Sequence, residues 1–232
     1  MREAAGEAGG QAAAPVPPNP GKAGPIPWED PHLPRLPALG RTLGELLFNP
    51  RGFFPRLGRH GWGEPLAFGL ITGTAGLLAG FFWSLLLYAG ASQGLGDYWG
   101  SQSQAVGTGL AVLLMVAAPA VTLGNLAFGA ACLWGALALA GAGRDFAPAW
   151  RIYGYAQGAM VVGVIPVLGL PLAGLWVLVL VYLGVQTVCE TSGGRTLGIL
   201  VLFLGLQVFW LVLLGGVLLA LLGFLGFLLF LG

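Results

Sequence analysis

The chain has 232 residues, 56% of them hydrophobic and 8% charged, a formal net charge of +1 and a mean hydropathy of +0.83; soluble domains do not have this composition, and polytopic membrane proteins do. Of ten Lys and Arg residues, seven precede Pro65 and only Arg144, Arg151 and Arg195 follow it, which excludes a basic surface able to track nucleic acid.

Residues 1–35 are rich in Ala, Gly and Pro, a composition that predicts a disordered, partly polyproline-like cytosolic tail. Its first twenty residues hold no apolar core of a signal peptide, so the first span is expected to serve as the insertion signal. Within the tail, Pro27, Trp28, Glu29, Asp30 and Pro31 read either as a linear contact segment or as a linker whose tryptophan touches the membrane surface.

Residues 36–64 form a second unit. Leu36, Leu39, Leu43, Leu46 and Leu47 fall at helical spacing with Arg41, Thr42 and Glu45 opposite, which predicts a short amphipathic helix in the interface. Arg51, Phe53, Phe54, Arg56, Arg59 and His60 then interleave cations with rings, a combination suited to anionic headgroups.

The third unit, 65–232, is the transmembrane domain. Residues 65–90 are long enough to cross a hydrocarbon core of about 30 Å, and Gly69, Gly73, Gly76 and Gly80 share one helix face there, a surface for close helix packing. The loop 91–104 carries Asp97 and no base, so the positive-inside rule places it outside. Residues 105–142 would measure about 57 Å as one helix. A hairpin near Pro119 or Asn125 would shorten it, but Arg144 and Arg151 in the following segment favour one crossing kinked at Pro119.

Residues 151–195 read as a membrane hairpin. Tyr153, Gly154 and Tyr155 open it as interfacial anchors, Pro166 and Pro171 break it, and Glu190 and Arg195 close it. One limb is expected to end near Ile165 and the next to run from about Leu172 to Thr187; a re-entrant pair is the alternative. Residues 196–232 carry no charge and fit one crossing with an apolar tail. The expected fold is therefore all-α, a polytopic transmembrane helical bundle of about five spans.

The order of these features resembles the Yip family of Ypt/Rab-interacting membrane proteins, in particular its bacterial branch. The residues that carry the likeness are Tyr153, Gly154 and Tyr155, then Pro166, then Thr191, Ser192, Gly193 and Arg195 in the loop before the last span. The Asp-Leu-Tyr-Gly-Pro motif of eukaryotic members is absent before the first span, where Gly63, Glu64 and Pro65 stand. The resemblance implies a non-enzymatic, multi-pass protein of a bacterial inner membrane, its N-terminus cytoplasmic, tied to membrane organisation. It implies no ligand, and a Rab-type GTPase is not an expected partner.

No ionisable residue falls inside a predicted span, so the usual marker of a proton or ion pathway is missing. His32 and His60 lack ligand partners at metal spacing, Ser84 and Ser192 lack a membrane-region base, and Cys132 and Cys189 read as packing residues. Gly193, Gly194 and Arg195 lack the Lys and Ser or Thr of a nucleotide loop. No catalytic residue, cofactor or metal site is expected. Asn125, Gln157, Gln186 and Gln207 either bond between helices or line a small uncharged cavity. Arg144, Arg151 and Arg195 are expected to face the cytosol together, as topology determinants or around an anionic lipid headgroup. Membrane lipids, a second copy of the chain or another membrane protein are the partners in view. The leading function is a membrane-organising interaction scaffold, and the alternative is a permease or channel for a small neutral or lipid-like solute.

Overall fold

The structure, a computed structural model, describes residues 24–58 and 61–231, with the side chains of 88–108, 110, 111, 218 and 221–231 outside that description. The expectation of disorder for residues 1–23, and the readings of Arg59 and His60, lie outside the described residues. Every regular element among the described residues is helical: α1 Arg35–Phe48, α2 Pro50–Phe53, α3 Gly63–Leu139, α4 Phe146–Ala156, α5 Gly169–Val188 and α6 Gly193–Leu231, with 3-10 stretches at Pro27–Glu29, Phe54–Arg56 and Gln157–Val164.

Helix α3 is far longer than any bilayer is thick, and it doubles back. The hydroxyl oxygens of Thr74 and Thr122 are 3.3 Å apart, and a Cβ added to Gly69 would meet Leu126. Its outgoing limb Gly63–Leu87 and return limb Val112–Leu139 therefore run antiparallel, each long and apolar enough to span. Pro119 sits inside the return limb without ending it, so the stretch from 112 to 139 crosses once rather than folding into its own hairpin.

The next limb is built in two parts. Helix α4 continues as a 3-10 helix, Gln157–Val164, and the larger rise of a 3-10 turn stretches the combined limb to about 32 Å. Its ends mark the same levels as the outgoing limb of α3. At the near end Phe146 stacks on Trp62 with centroids 5.4 Å apart; at the far end the Trp83 indole N–H donates to the Val164 carbonyl at 2.8 Å. A turn at 165–168 containing Pro166 reverses the chain into α5, which returns to the near end, and α6 leaves from there. Four stretches meet the length and hydropathy of a span, in α3 (twice), α5 and α6, and the α4 limb runs the same height between them. The helical membrane bundle read from the sequence is the fold observed, with four stretches among the described residues long and apolar enough to cross.

The near end is closed by the N-terminal segment, where three expectations need correction. Residues 24–35 do not continue a disordered tail: Pro27–Glu29 forms a 3-10 turn and Ile26 and Trp28 are buried. Trp28 holds the segment down through three contacts. Its backbone N–H donates to Thr42 Oγ1 at 3.0 Å, its indole N–H donates to the Glu64 carbonyl at 2.9 Å, and its ring meets Phe68 edge-on at 5.8 Å. Secondly, α1 buries Ala38, Thr42 and Leu46, one row four residues apart, while Leu36 is exposed. The supposed polar residue Thr42 is inside because its hydroxyl satisfies the Trp28 amide. Thirdly, Phe53 and Phe54 point into the bundle rather than at headgroups, and Arg56 pairs with Glu45. Burial of each of these rings stabilises the segment by about 1.5–3 kcal/mol.

Candidate functional site

Two polar clusters among the described residues are organised by the Tyr-Gly-Tyr stretch of α4. Successive residues of a helix point about 100° apart, so Tyr153, Gly154 and Tyr155 address three different neighbours. All three are buried, and none is the interfacial anchor expected from its place at the mouth of an apolar run.

Gly154 lets α4 approach the start of α3: an added Cβ would lie 2.9 Å from Pro65 Cβ and 3.0 Å from the Pro65 carbonyl oxygen. Tyr155 turns toward the N-terminal segment, its ring packed against Phe53 at 5.3 Å and Phe68 at 5.2 Å. Its hydroxyl donates to Glu29 Oε1 at 2.6 Å. The same carboxylate oxygen accepts from Arg151 Nη2, and Arg151 Nη1 donates to the Gly61 carbonyl at 3.3 Å. Arg151 is 2% exposed and the Glu29 side chain 24% exposed. Gly61 adopts φ 105°, a backbone that favours glycine, and a Cβ there would stand 2.9 Å from Arg151 Nη1. Glu29, Arg151 and Tyr155 thus form a joint that fastens residue 29 to a helix more than a hundred positions away. Chemically it is a mostly buried ion pair in which one carboxylate oxygen accepts from two donors.

Tyr153 turns to the bundle interior. The side-chain amides of Asn125, Gln157 and Gln207 line the same cavity as Tyr153, drawn from the return limb of α3, the 3-10 part of the α4 limb, and α6. Together they mark one wall of a cavity of about 650 Å³. The rest of the lining is mainly apolar, from Leu77 on α3 through Leu170 and Leu178 on α5 to Phe203 on α6. Gln157 and Thr122 are buried, whereas Val121, Leu175 and Leu204 on three different helices are exposed, so the cavity opens sideways toward the surrounding medium. Of the four amides read from the sequence, three meet here. Gln186 does not; it lies near the α6 start, 3.8 Å from where a Gly193 Cβ would stand.

The remaining candidates are dispersed. The glycine face of α3 meets partners within the chain: Cβ atoms at Gly69, Gly73, Gly76 and Gly80 would strike Leu126, Thr122, the Met160 carbonyl and Leu170 respectively. Pro166 is exposed in the far-end turn, its carbonyl accepting from the Leu168 N–H at 2.6 Å. In the near-end loop, the buried Thr191 hydroxyl bonds that of Thr196 at 2.7 Å, and the Ser192 carbonyl accepts from the Thr196 N–H at 2.9 Å. Gly193 begins α6, where a Cβ would come 3.1 Å from the Tyr182 hydroxyl. Arg195 reaches across and donates to the Ala140 carbonyl at 2.7 Å, a cation at the C-terminal end of α3 where the helix dipole favours one. Arg144 is exposed in the same loop region, but Arg151 is buried. The three arginines therefore do not form a common headgroup site, because Arg151 is taken up by Glu29.

Sequence reading missed Glu29 and Thr42 as partners. The available signal was Trp28, a residue costly to leave in water, set between Pro27 and Pro31.

A protein-family model described as Yip1 domain matches residues 44–215. Tyr153 to Tyr155, the cavity and Arg151 lie within that range, and Glu29 precedes it. No curated protein and no solved structure matches the chain.

Proposed function

The chain belongs to the Yip1 domain family, and from that membership we propose that it is a non-enzymatic, membrane-organising scaffold that holds another membrane protein or a second copy of itself. One observation carries this reading. Helix α6 buries Ile199 and Phe203 near its start but leaves Val208, Phe209, Leu211 and Val212 all more than half exposed, a lateral apolar surface at the bundle edge. Lipid covers such a surface by default, and a partner helix replaces lipid when its shape packs better. The joint at Glu29, Arg151 and Tyr155 supports the same reading, since it fixes an ordered N-terminal face beside the bundle. The scaffold reading takes the near end as cytoplasmic, on the inner membrane of a bacterium, because Arg144, Arg195 and the N-terminal cations gather there. Purification in mild detergent tests it: a stoichiometric partner or a self-associated species supports the scaffold, and a lone monomer under every mild condition contradicts it.

The cavity favours a second reading, passage of a small neutral or lipid-like solute. Flux into proteoliposomes tests that reading: uptake above that of empty vesicles supports it, and equal uptake removes it.

A further inference from the structure

We propose that the cavity beside Tyr153 is a binding site for an uncharged, hydroxyl-bearing lipid of the diacylglycerol class. The proposal takes its location from the solute reading above and requires binding only, not passage.

Depth is the first argument. Gly73 and Phe203 on the lining lie ten residues from the near-end starts of α3 and α6, and Leu170 lies eighteen from the near-end finish of α5. At 1.5 Å per residue these three stand about 15–27 Å from the near ends of their helices, and Tyr153, seven residues into α4, about 10 Å; the lining thus reaches past the middle of a hydrocarbon core of about 30 Å. A charged headgroup is expensive at that depth. An uncharged lipid reaches it readily.

Polar capacity is the second. Three carboxamides offer two donors and two acceptor lone pairs each, against one donor and two lone pairs on the Tyr153 hydroxyl. Asn125, Gln157 and Gln207 line the cavity together with Tyr153, and polar groups at this depth are costly unless matched. A hydroxyl flanked by ester carbonyls supplies both the donor and the acceptors required. No Asp, Glu, Lys, Arg or His is among the described lining residues, so nothing there recognises charge.

Shape is the third. About 650 Å³ suits a ligand of drug-like size or the polar end of a lipid with the first part of its chains. The exposed Val121, Leu175 and Leu204 at the opening give acyl chains a route to the bilayer. Gly174 lines the cavity with nothing within 4 Å of an added Cβ, which leaves that wall open.

The test is photolabelling in phosphatidylcholine nanodiscs. A diazirine-bearing diacylglycerol is compared with a phosphatidylglycerol carrying the same chains, and adducts are mapped by mass spectrometry. The proposal expects diacylglycerol adducts around residues 170–178 and 203–207, competed by unlabelled dioleoylglycerol and absent for phosphatidylglycerol. Asn125→Leu with Gln157→Leu should lower labelling about tenfold, the loss of two neutral hydrogen bonds. Gly174→Trp fills the cavity without touching an amide and should lower it equally, with an unchanged melting temperature in detergent, so the test survives if the amide variant fails to fold. Equal labelling by the charged lipid, labelling unaffected by Gly174→Trp, or no adduct at these residues overturns the proposal. Adducts without flux contradict only the passage reading; flux without adducts contradicts only this one.

Discussion

Replacing Glu29 with Ala should release the N-terminal segment while leaving the bundle folded. The substitution removes the carboxylate that accepts from Arg151 and, at 2.6 Å, from Tyr155, and Arg151 stays behind at 2% exposure. Breaking a buried ion pair by deleting one member costs about 3–5 kcal/mol. Glu29 is itself 24% exposed and Arg151 keeps its bond to the Gly61 carbonyl, so screening and the surviving contact lower the expected cost to about 2–3 kcal/mol. The loss falls on local opening of residues 26–57, because Trp28, Leu46, Phe53 and Phe54 are what seat that segment. At about 1.4 kcal/mol per tenfold, its amide protons should exchange about 30- to 150-fold faster, with α5 exchange unchanged. On an Arg151→Met background, where no charge is stranded, Glu29→Ala should cost less than about 1 kcal/mol. Unaltered exchange in the single variant, or the same acceleration on both backgrounds, would refute the joint.

Tyr155→Phe deletes one bond to the same carboxylate and should raise exchange of the segment about tenfold, near the worth of a hydrogen bond to a charged group. Gly76→Ala should prevent accumulation of folded protein or lower its melting temperature sharply. Its Cβ would fall 2.0 Å from the Met160 carbonyl oxygen, and backbone on both sides leaves no room to give. Gly174→Ala, with open space around it, should be neutral in the same melting assay. Arg195→Gln removes an exposed cation from the Ala140 carbonyl and should cost less than about 1 kcal/mol, read as a small shift in melting temperature.

The crossings were legible because lipid imposes a length on apolar runs and because Pro166 and Pro171 mark where a helix cannot continue through a reversal. The α4 limb was harder. A run from Arg151 looks too short, and only the use of Phe146 as its start and of a 3-10 stretch after Ala156 makes up the height. Tyr153 and Tyr155 were misplaced for a physical reason: an aromatic residue at the end of an apolar run has the same sequence signature whether it meets headgroups or another helix. The glycine face of α3 announced a close neighbour but could not say which, and the answer divides among the return limb, the α4 limb and α5. Trp28 marked the segment, but the pairing of Glu29 with Arg151 was not legible, since the two lie 122 positions apart and local pattern carries no information at that range. The amides show the same limit. Asn125, Gln157 and Gln207 stood out by polarity, but three helices had to be packed before they met, and Gln186, equally visible, went to the near end.

Sidedness underlies the bundle, the N-terminal face and the placement of the cavity, and single-cysteine labelling tests it directly. With Cys132 and Cys189 replaced by Ala, cysteines at Asp97 and Val167 should react with an impermeant maleimide added outside intact cells. Those at Gly143 and Ser192 should react only after permeabilisation. Labelling of Ser192→Cys from outside, or of Asp97→Cys only after permeabilisation, would contradict the alternation of sides before α6 and a joint on the inner face.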